Sequence, residues 1–493
     1  MLSRILLTIL LLNSCHIYAS EVRVGADEWV DYTNKDGTGI YFELLKAIYP
    51  NYTLQFKLAP FNKTIDAFEQ KEVDIVIGVH RDDISKALFP KWYLDTEYPV
   101  NAFYNDKLNT IKQPSDLYNK RLSWLRGYKF NRYISSKQNN VIVDDINKGF
   151  DLLANQQVDA FIDYSYNLTA EETKLYSSFE IAPSRHIYIA FQHNRFGKAL
   201  AKQFDKNMQK LRDEGRLATI FGEEYTYSKL ASFSPKKKKI VIFSNSVSLL
   251  AENEAINTNN EQNLHFIFDE LSDYEFEHKK LKDISEIYSY PLKDNVCFTD
   301  LIKTKERERH FIASKPISIY LGLSLYSTEK LAVSSPVKLD ELLRSDNQLL
   351  LGTVNGRSYG SNLDSILREG NKAQVIPVPS DLNTIFRQLS KKRFNLLIEY
   401  PSEKKRYWSK SSKTKLYRYD LSGTSDYIIG YMMCNKSALN KEFLDDLNQY
   451  LEQLYQSVIF FDTQYRKVLS EDREKFIHYF NQIFEDNWAN EAK

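Results

Sequence analysis

The sequence predicts an α/β chain built as two tandem modules, each a pair of α/β lobes joined by hinge strands. Three observations carry that prediction. Residues 145–163 and 381–399 align without a gap. Asp145/Asp381, Asn147/Asn383, Phe150/Phe386, Leu153/Leu389 and Ile162/Ile398 are identical pairs. Self-similarity at about half the chain length indicates two copies of one domain. Strand-like runs alternate with helical spacing, the pattern of a parallel sheet with crossover helices. Each half also closes on a strand followed by a long amphipathic helix, as if the chain had returned to the lobe it first built.

The elements follow in order. Glu21–Gly25 alternates as a strand, and a loop runs from Asp27 to Gly39. Ile40–Tyr49 places Phe42, Leu45 and Ile48 on one helical face. A strand over Thr53–Leu58 precedes a helix around Lys63–Gln70, and Val73–Gly78 reads as a buried strand. A second α/β block spans about 105–187. Strand His186–Phe191 then leads into a helix with Phe196, Leu200, Phe204, Met208 and Leu211 on one face. Ser232–Lys239, a proline among small residues and lysines, reads as the linker. The second copy opens with strand Lys239–Phe243. It closes with strand Tyr427–Cys434 and a helix bearing Leu439, Phe443, Leu447, Tyr450 and Leu454. A terminal helix follows beyond about residue 470. The expected boundaries are a signal peptide over 1–20, module one over 21–231, a linker over 232–239, module two over 240–480 and a tail over 481–493.

Composition narrows the function. The chain has 493 residues, 43% of them hydrophobic, and a formal charge of +1. That balance gives no support for a nucleic-acid partner. Met1–Arg4 carries one positive charge, Ile5–Leu12 is an apolar run, and Ala19 and Ser20 follow, the layout of a secretory signal. An alternative reads Leu12-Asn13-Ser14-Cys15 as a lipobox that would anchor the chain through Cys15. Either way the expected location is periplasmic. No later segment approaches the roughly 18 apolar residues of a membrane span. Two cysteines then remain, Cys297 and Cys434, which in an exported chain point to one disulfide; two buried free thiols are the alternative.

The chain resembles the extracellular solute-binding proteins of the polar amino-acid type (family 3), present twice. In module one the likeness rests on Gly39–Glu43, Val73–Gly78, Phe89-Pro90 and Val158–Asp163. In module two it rests on Thr304–Arg307, the 381–399 segment and the closing strand and helix. It also resembles a divergent branch in which a cysteine, here Cys297, precedes the arginine turn and another, here Cys434, follows the return strand. The resemblance implies a type II periplasmic-binding-protein-like fold. It also implies a cleft for an amino-acid-like solute, and a membrane permease or sensor receptor as partner. No cofactor, no metal and a monomer are expected.

The resemblance also implies site residues. In module two, Thr304 and Arg307 form the turn whose guanidinium forks onto a ligand carboxylate. Gly356, Arg357 and Ser358 supply donors before a helix, and Glu399 takes the ligand's ammonium. Module one departs from the pattern. Asp163 is present, but Ser85 stands where the arginine belongs, and the second-lobe turn reads Arg126-Gly127-Tyr128-Lys129. Arg81, Arg126 or Lys129 could replace the cation, or Trp29, Tyr32 and Trp124 could wall a cationic or aromatic ligand. An empty cleft serving as an interaction module is a further alternative.

Two enzyme readings compete. Gly356-Arg357-Ser358-Tyr359-Gly360 matches a nucleophile elbow, in which Ser358 would need an acid such as Asp420 or Asp426 and the histidine His478. His478 falls in a helical stretch, Glu474–Phe484, where that chemistry would not place it. A few proteins of the resembled fold are dehydratases, but no residue set here demands that chemistry. The chain has no H-E-x-x-H, C-x-x-C or P-loop. A non-catalytic binding protein is the expectation.

Overall fold

The computed structural model describes residues 20–135, 140–169, 171–244, 265–281, 284–346, 348–369, 374–378, 382–408 and 414–484. All of the expected signal peptide except Ser20, Cys15 included, and all but the first four residues of the expected tail lie outside them. The chain forms two compact units. One holds the residues up to Leu94 with Ile187–Ala231, and the other holds Asp95–His186 with everything from Ser232 on.

In the first unit, the sheet runs Tyr52–Leu58, Ser20–Ala26, Ile75–Val79, His186–Gln192, Ala87–Leu88. Ser20–Ala26 is parallel to both its neighbours, and the return strand is antiparallel to Ile75–Val79. Ile75–Val79 is buried at every position, so its sequence is a continuous apolar run. Helix Arg195–Asp213 starts at Asn194, whose side chain accepts from Gly197 N at 2.8 Å. It buries Leu200, Phe204, Met208 and Leu211, the face its spacing predicts.

The second unit contains three sheets. That of residues 95–186 runs Ser177–Ala182, Val100–Tyr104, Ala160–Tyr164, Leu122–Leu125, Val141–Val143. That of module two's second lobe runs Tyr417–Asp420, Ser324–Ser327, Leu396–Glu399, Leu351–Val354, Val375–Val378, the same order of connection. Module two's first lobe runs Tyr274–Lys280, Lys238–Ser244, Val296–Leu301, Tyr427–Asn435, Phe311–Leu321. This order repeats that of the first unit, edge strand included. The fold is therefore mixed α/β, with two modules of two α/β lobes each, as the sequence predicts.

In module two the chain crosses between lobes twice, after Phe311–Leu321 and before Tyr427–Asn435. The crossings touch: Gly322 N donates to Asp426 O at 2.7 Å. A Cβ on Gly322 would lie 2.2 Å from Ser425 O, so only glycine permits this approach. Cys297 and Cys434 face each other across neighbouring strands and form a disulfide. The bond ties the returning strand to the lobe the chain had left.

Helix Val458–Tyr465 is buried at all eight positions. One of its sides packs on residues 95–186, with Tyr118 against Phe461 and Tyr465 at 5.6 and 4.6 Å. Another packs on helix Arg473–Phe484 through Phe460, Phe461, Phe480 and Phe484. Buried Asp462 accepts from the Tyr118 hydroxyl, from Ser135 N at 2.9 Å and from Arg466. One apolar cluster thus runs from Val100 and Trp124 to Ile240, Phe443 and Phe484. No helix among the described residues is long and apolar enough to cross a membrane.

Candidate ligand site

Module two's first lobe brings the expected arginine turn to the end of strand Val296–Leu301. Thr304 caps the short helix Lys305–His310, its Oγ1 accepting from Arg307 N at 3.2 Å. Arg307 is buried, and its Nη1 donates to Ile302 O at 3.0 Å. Beside the turn, Asp300 takes a positive φ of 57° and accepts from Ser318 Oγ at 2.6 Å. Gly430 keeps that contact open, since a Cβ there would lie 2.2 Å from Ser318 Oγ.

The second lobe gathers the other expected residues. After strand Leu351–Val354 the chain turns at Gly356, whose φ of 66° suits glycine. Arg357 then donates from Nη1 to Glu399 Oε2 at 2.7 Å. Glu399 is 0% exposed, and its other oxygen accepts from Tyr400 N at 2.9 Å. The guanidinium lies over Tyr400 at 4.7 Å and near Tyr359 at 5.6 Å. Burial pulls the Arg357 pKa down, but Glu399 and the two tyrosines outweigh it and hold it well above its usual value. Ser358 donates its hydroxyl to Asp364 Oδ2 at 2.6 Å, and Tyr359 N donates to Asp364 Oδ1 at 2.7 Å.

Tyr320, just before the first crossing, joins the two sides. It stacks on Tyr400 with centroids 5.0 Å apart. Its phenol is pushed up by burial, with Asp300 and Glu403 adding to the effect and a hydrogen bond to Ser318 opposing it. Glu403 completes the group. Burial, then the nearby Glu399 charge, pushes its carboxyl to about 7, and its Oε2 is buried without a hydrogen-bond partner. The expected set Arg357, Ser358 and Glu399 is therefore one connected cluster with Tyr320, Tyr359, Asp364, Tyr400 and Glu403. The sequence reading missed those five. An aromatic directly after the acid at the strand's end (Glu399-Tyr400, like Asp163-Tyr164) was the available signal.

In module one the expected residues divide between the two compact units. In the first unit, the Trp29 ring covers Gly78, where a Cβ would lie 2.3 Å from it, and meets Tyr41 edge-on at 6.4 Å. Tyr32 lies 5.0 Å from Tyr41. Arg81 lies over Tyr188 at 4.4 Å, and its Nη2 donates to Pro90 O at 3.4 Å. In the other unit, Trp124 is packed in the apolar core. Arg126 pairs with Asp144 at 2.7 Å on the surface, and Lys129 precedes the short turn Phe130–Arg132. Asp163 ends strand Ala160–Tyr164 at 0% exposure. Its Oδ1 accepts from Tyr164 N at 2.8 Å, whereas Oδ2 is buried with no partner. Burial pushes its carboxyl to about 7 against the opposing hydrogen bond from Tyr164 N.

No family model and no curated relative matches the chain. Solved structures similar to it include an ABC uptake transporter substrate-binding protein from Streptococcus pneumoniae with bound histidine. It is 16% identical over 42% of this chain and 93% of that one, with a TM-score of 0.36. An ancestral arginine-binding protein bound to arginine matches at 16% identity over 42% of this chain and 99% of its own, with a TM-score of 0.36. A putative L-cystine ABC transporter from Listeria monocytogenes matches at 20% over 42% and 95%, with a TM-score of 0.35.

Proposed function

We propose that this chain is an exported, non-catalytic binding protein for an amino-acid-like small polar solute. It serves either transport or a membrane receptor that senses the ligand. The observation that carries this reading is the paired crossing between the two lobes of module two, where Gly322 N meets Asp426 O. Glu399, Arg357, Tyr400, Tyr320 and Asp300 converge at the place where the chain crosses between lobes. A cleft between lobes joined by paired crossings is where hinge closure captures a small ligand. Ser358 supports binding over hydrolysis, because its hydroxyl donates to the Asp364 carboxylate rather than to an imidazole.

A thermal-shift screen of residues 21–493 against amino acids, polyamines and small carboxylates tests the proposal, since a bound ligand raises the melting temperature by mass action. A hit lost in Arg307→Ala assigns the site to module two. A hit that survives there and is lost in Asp163→Ala assigns it to module one. Absence of any hit at millimolar concentration counts against solute binding and favours a protein-interaction module.

A further inference from the structure

Arg307, Ser358 and Glu399, three of the residues expected to hold an amino acid in module two, each already have a partner from the chain itself. Glu399, the acid meant for a ligand's ammonium, has both oxygens engaged, one by Tyr400 N and one by Arg357. The donors that precede helix Ser361–Glu369, meant for a ligand's carboxylate, are engaged by Asp364 through Ser358 Oγ and Tyr359 N. Arg307, meant to fork onto that carboxylate, has its Nη1 donating to Ile302 O. Resting on the solute-binding reading above, we propose that module two carries its own stand-in for a zwitterion. The Arg357 guanidinium takes the place of an ammonium and the Asp364 carboxylate that of a carboxylate, so this cleft excludes free α-amino acids.

The physical case rests on what a competing ligand must displace. Arg357 is not a loose surface charge: its side chain is 13% exposed and that of Glu399 0%. The guanidinium is planar and is held by ring faces as well as by charge. A free ammonium is a compact, strongly hydrated point charge with no such stack. Arg357 is also tethered to its acid through a short stretch of fold, so its effective concentration there exceeds that of any dissolved ligand. An amino acid would have to evict it and leave a buried cation unpaired. Module one provides the contrast. Its acid, Asp163, keeps one oxygen without a partner, and the arginine of its turn, Arg126, pairs with Asp144 on the surface.

Chemical rescue tests the proposal in the full chain. In Arg357→Ala the acid keeps its pocket and loses its cation. Ethylguanidinium at low millimolar concentration is then expected to raise the melting temperature saturably. Wild type and the Arg357→Ala/Glu399→Gln double variant are expected to show no such rise. If Arg357→Ala can be recovered only by refolding with ethylguanidinium, that too is rescue. A variant that is not rescued, folded or not, overturns the proposal. A second readout uses Glu399→Gln, which keeps the shape of the acid. Any L-amino acid that stabilises wild type is expected to stabilise this variant equally, and loss of that stabilisation in a folded Glu399→Gln overturns the proposal. Rescue together with silence from every solute leaves the stand-in intact and removes the solute-binding reading, so the two fail separately.

Discussion

Glu270 shows how much a single buried carboxyl can report. Both its oxygens accept from His186 N, at 3.0 and 2.9 Å, and Arg185 Nε lies 4.0 Å away. Burial still prevails over these contacts and pushes its pKa up to about 8. The folded chain thus keeps a proton that the unfolded chain releases near the ordinary glutamate value. The stability linked to that proton is fully present below the unfolded pKa and is lost as pH rises through about 8, at about 1.4 kcal/mol per pH unit. Asp163 and Glu403, each pushed to about 7, act with the same sign. The denaturant midpoint of the second unit is therefore expected to fall from mildly acidic to mildly alkaline pH, with a shallower fall in Glu270→Gln. A midpoint that rises over that range contradicts the assignment. At this scale the sequence was partly legible. Glu399 and Asp163 were readable as acids closing an apolar strand, but the Arg357–Glu399 bond joins residues 42 apart and no spacing rule reaches across that distance.

Among the elements, the helices Ile146–Ala154 and Leu382–Ser390 lie where the repeated segment predicts them. Each has one apolar and one wet face, which is what periodicity detects. Helix Val458–Tyr465 escaped notice for the opposite reason. All of its residues are buried, including Asp462, Thr463 and Gln464, so it presents no alternation to read. Its role emerges only from its partners. Asp462 binds Tyr118 and Ser135 of one lobe from within a helix of another. Tyr118→Phe leaves that acid short of a donor, so a loss of about 1 to 3 kcal/mol is expected in equilibrium unfolding. An unchanged midpoint would mean that water replaces the phenol at no cost. The disulfide closes a loop of 137 residues. On the chain-entropy account, Cys297→Ser with Cys434→Ser is expected to cost about 5 kcal/mol, read as a lower denaturant midpoint.

For the molecule as a whole, the α/β class and the doubled lobes were legible because strands alternate with helices along the chain and the same succession occurs twice. The compact units were not. Residues 95–186 cluster with the chain beyond Ser232, whereas residues up to Leu94 cluster with Ile187–Ala231. That grouping depends on side-chain burial between segments distant in sequence, such as Tyr118 with Phe461 and Tyr465. It has a measurable counterpart in hydrogen exchange. Amides of Ala160–Tyr164 are expected to open together with those of Val296–Leu301, and separately from those of Ile75–Val79. Exchange of Ala160–Tyr164 in step with Ile75–Val79 instead would divide the chain at the linker.

The cysteine pair also decides how the chain would carry a load. A pull applied between the two ends passes from Cys297 to Cys434 through sulfur, so the 136 residues between them bear no tension. Extended, they would span roughly 450 to 490 Å. In a single-molecule pulling trace this length stays hidden while the bond is oxidised and appears as extra contour once a reductant is added. Module two's second lobe is mechanically silent.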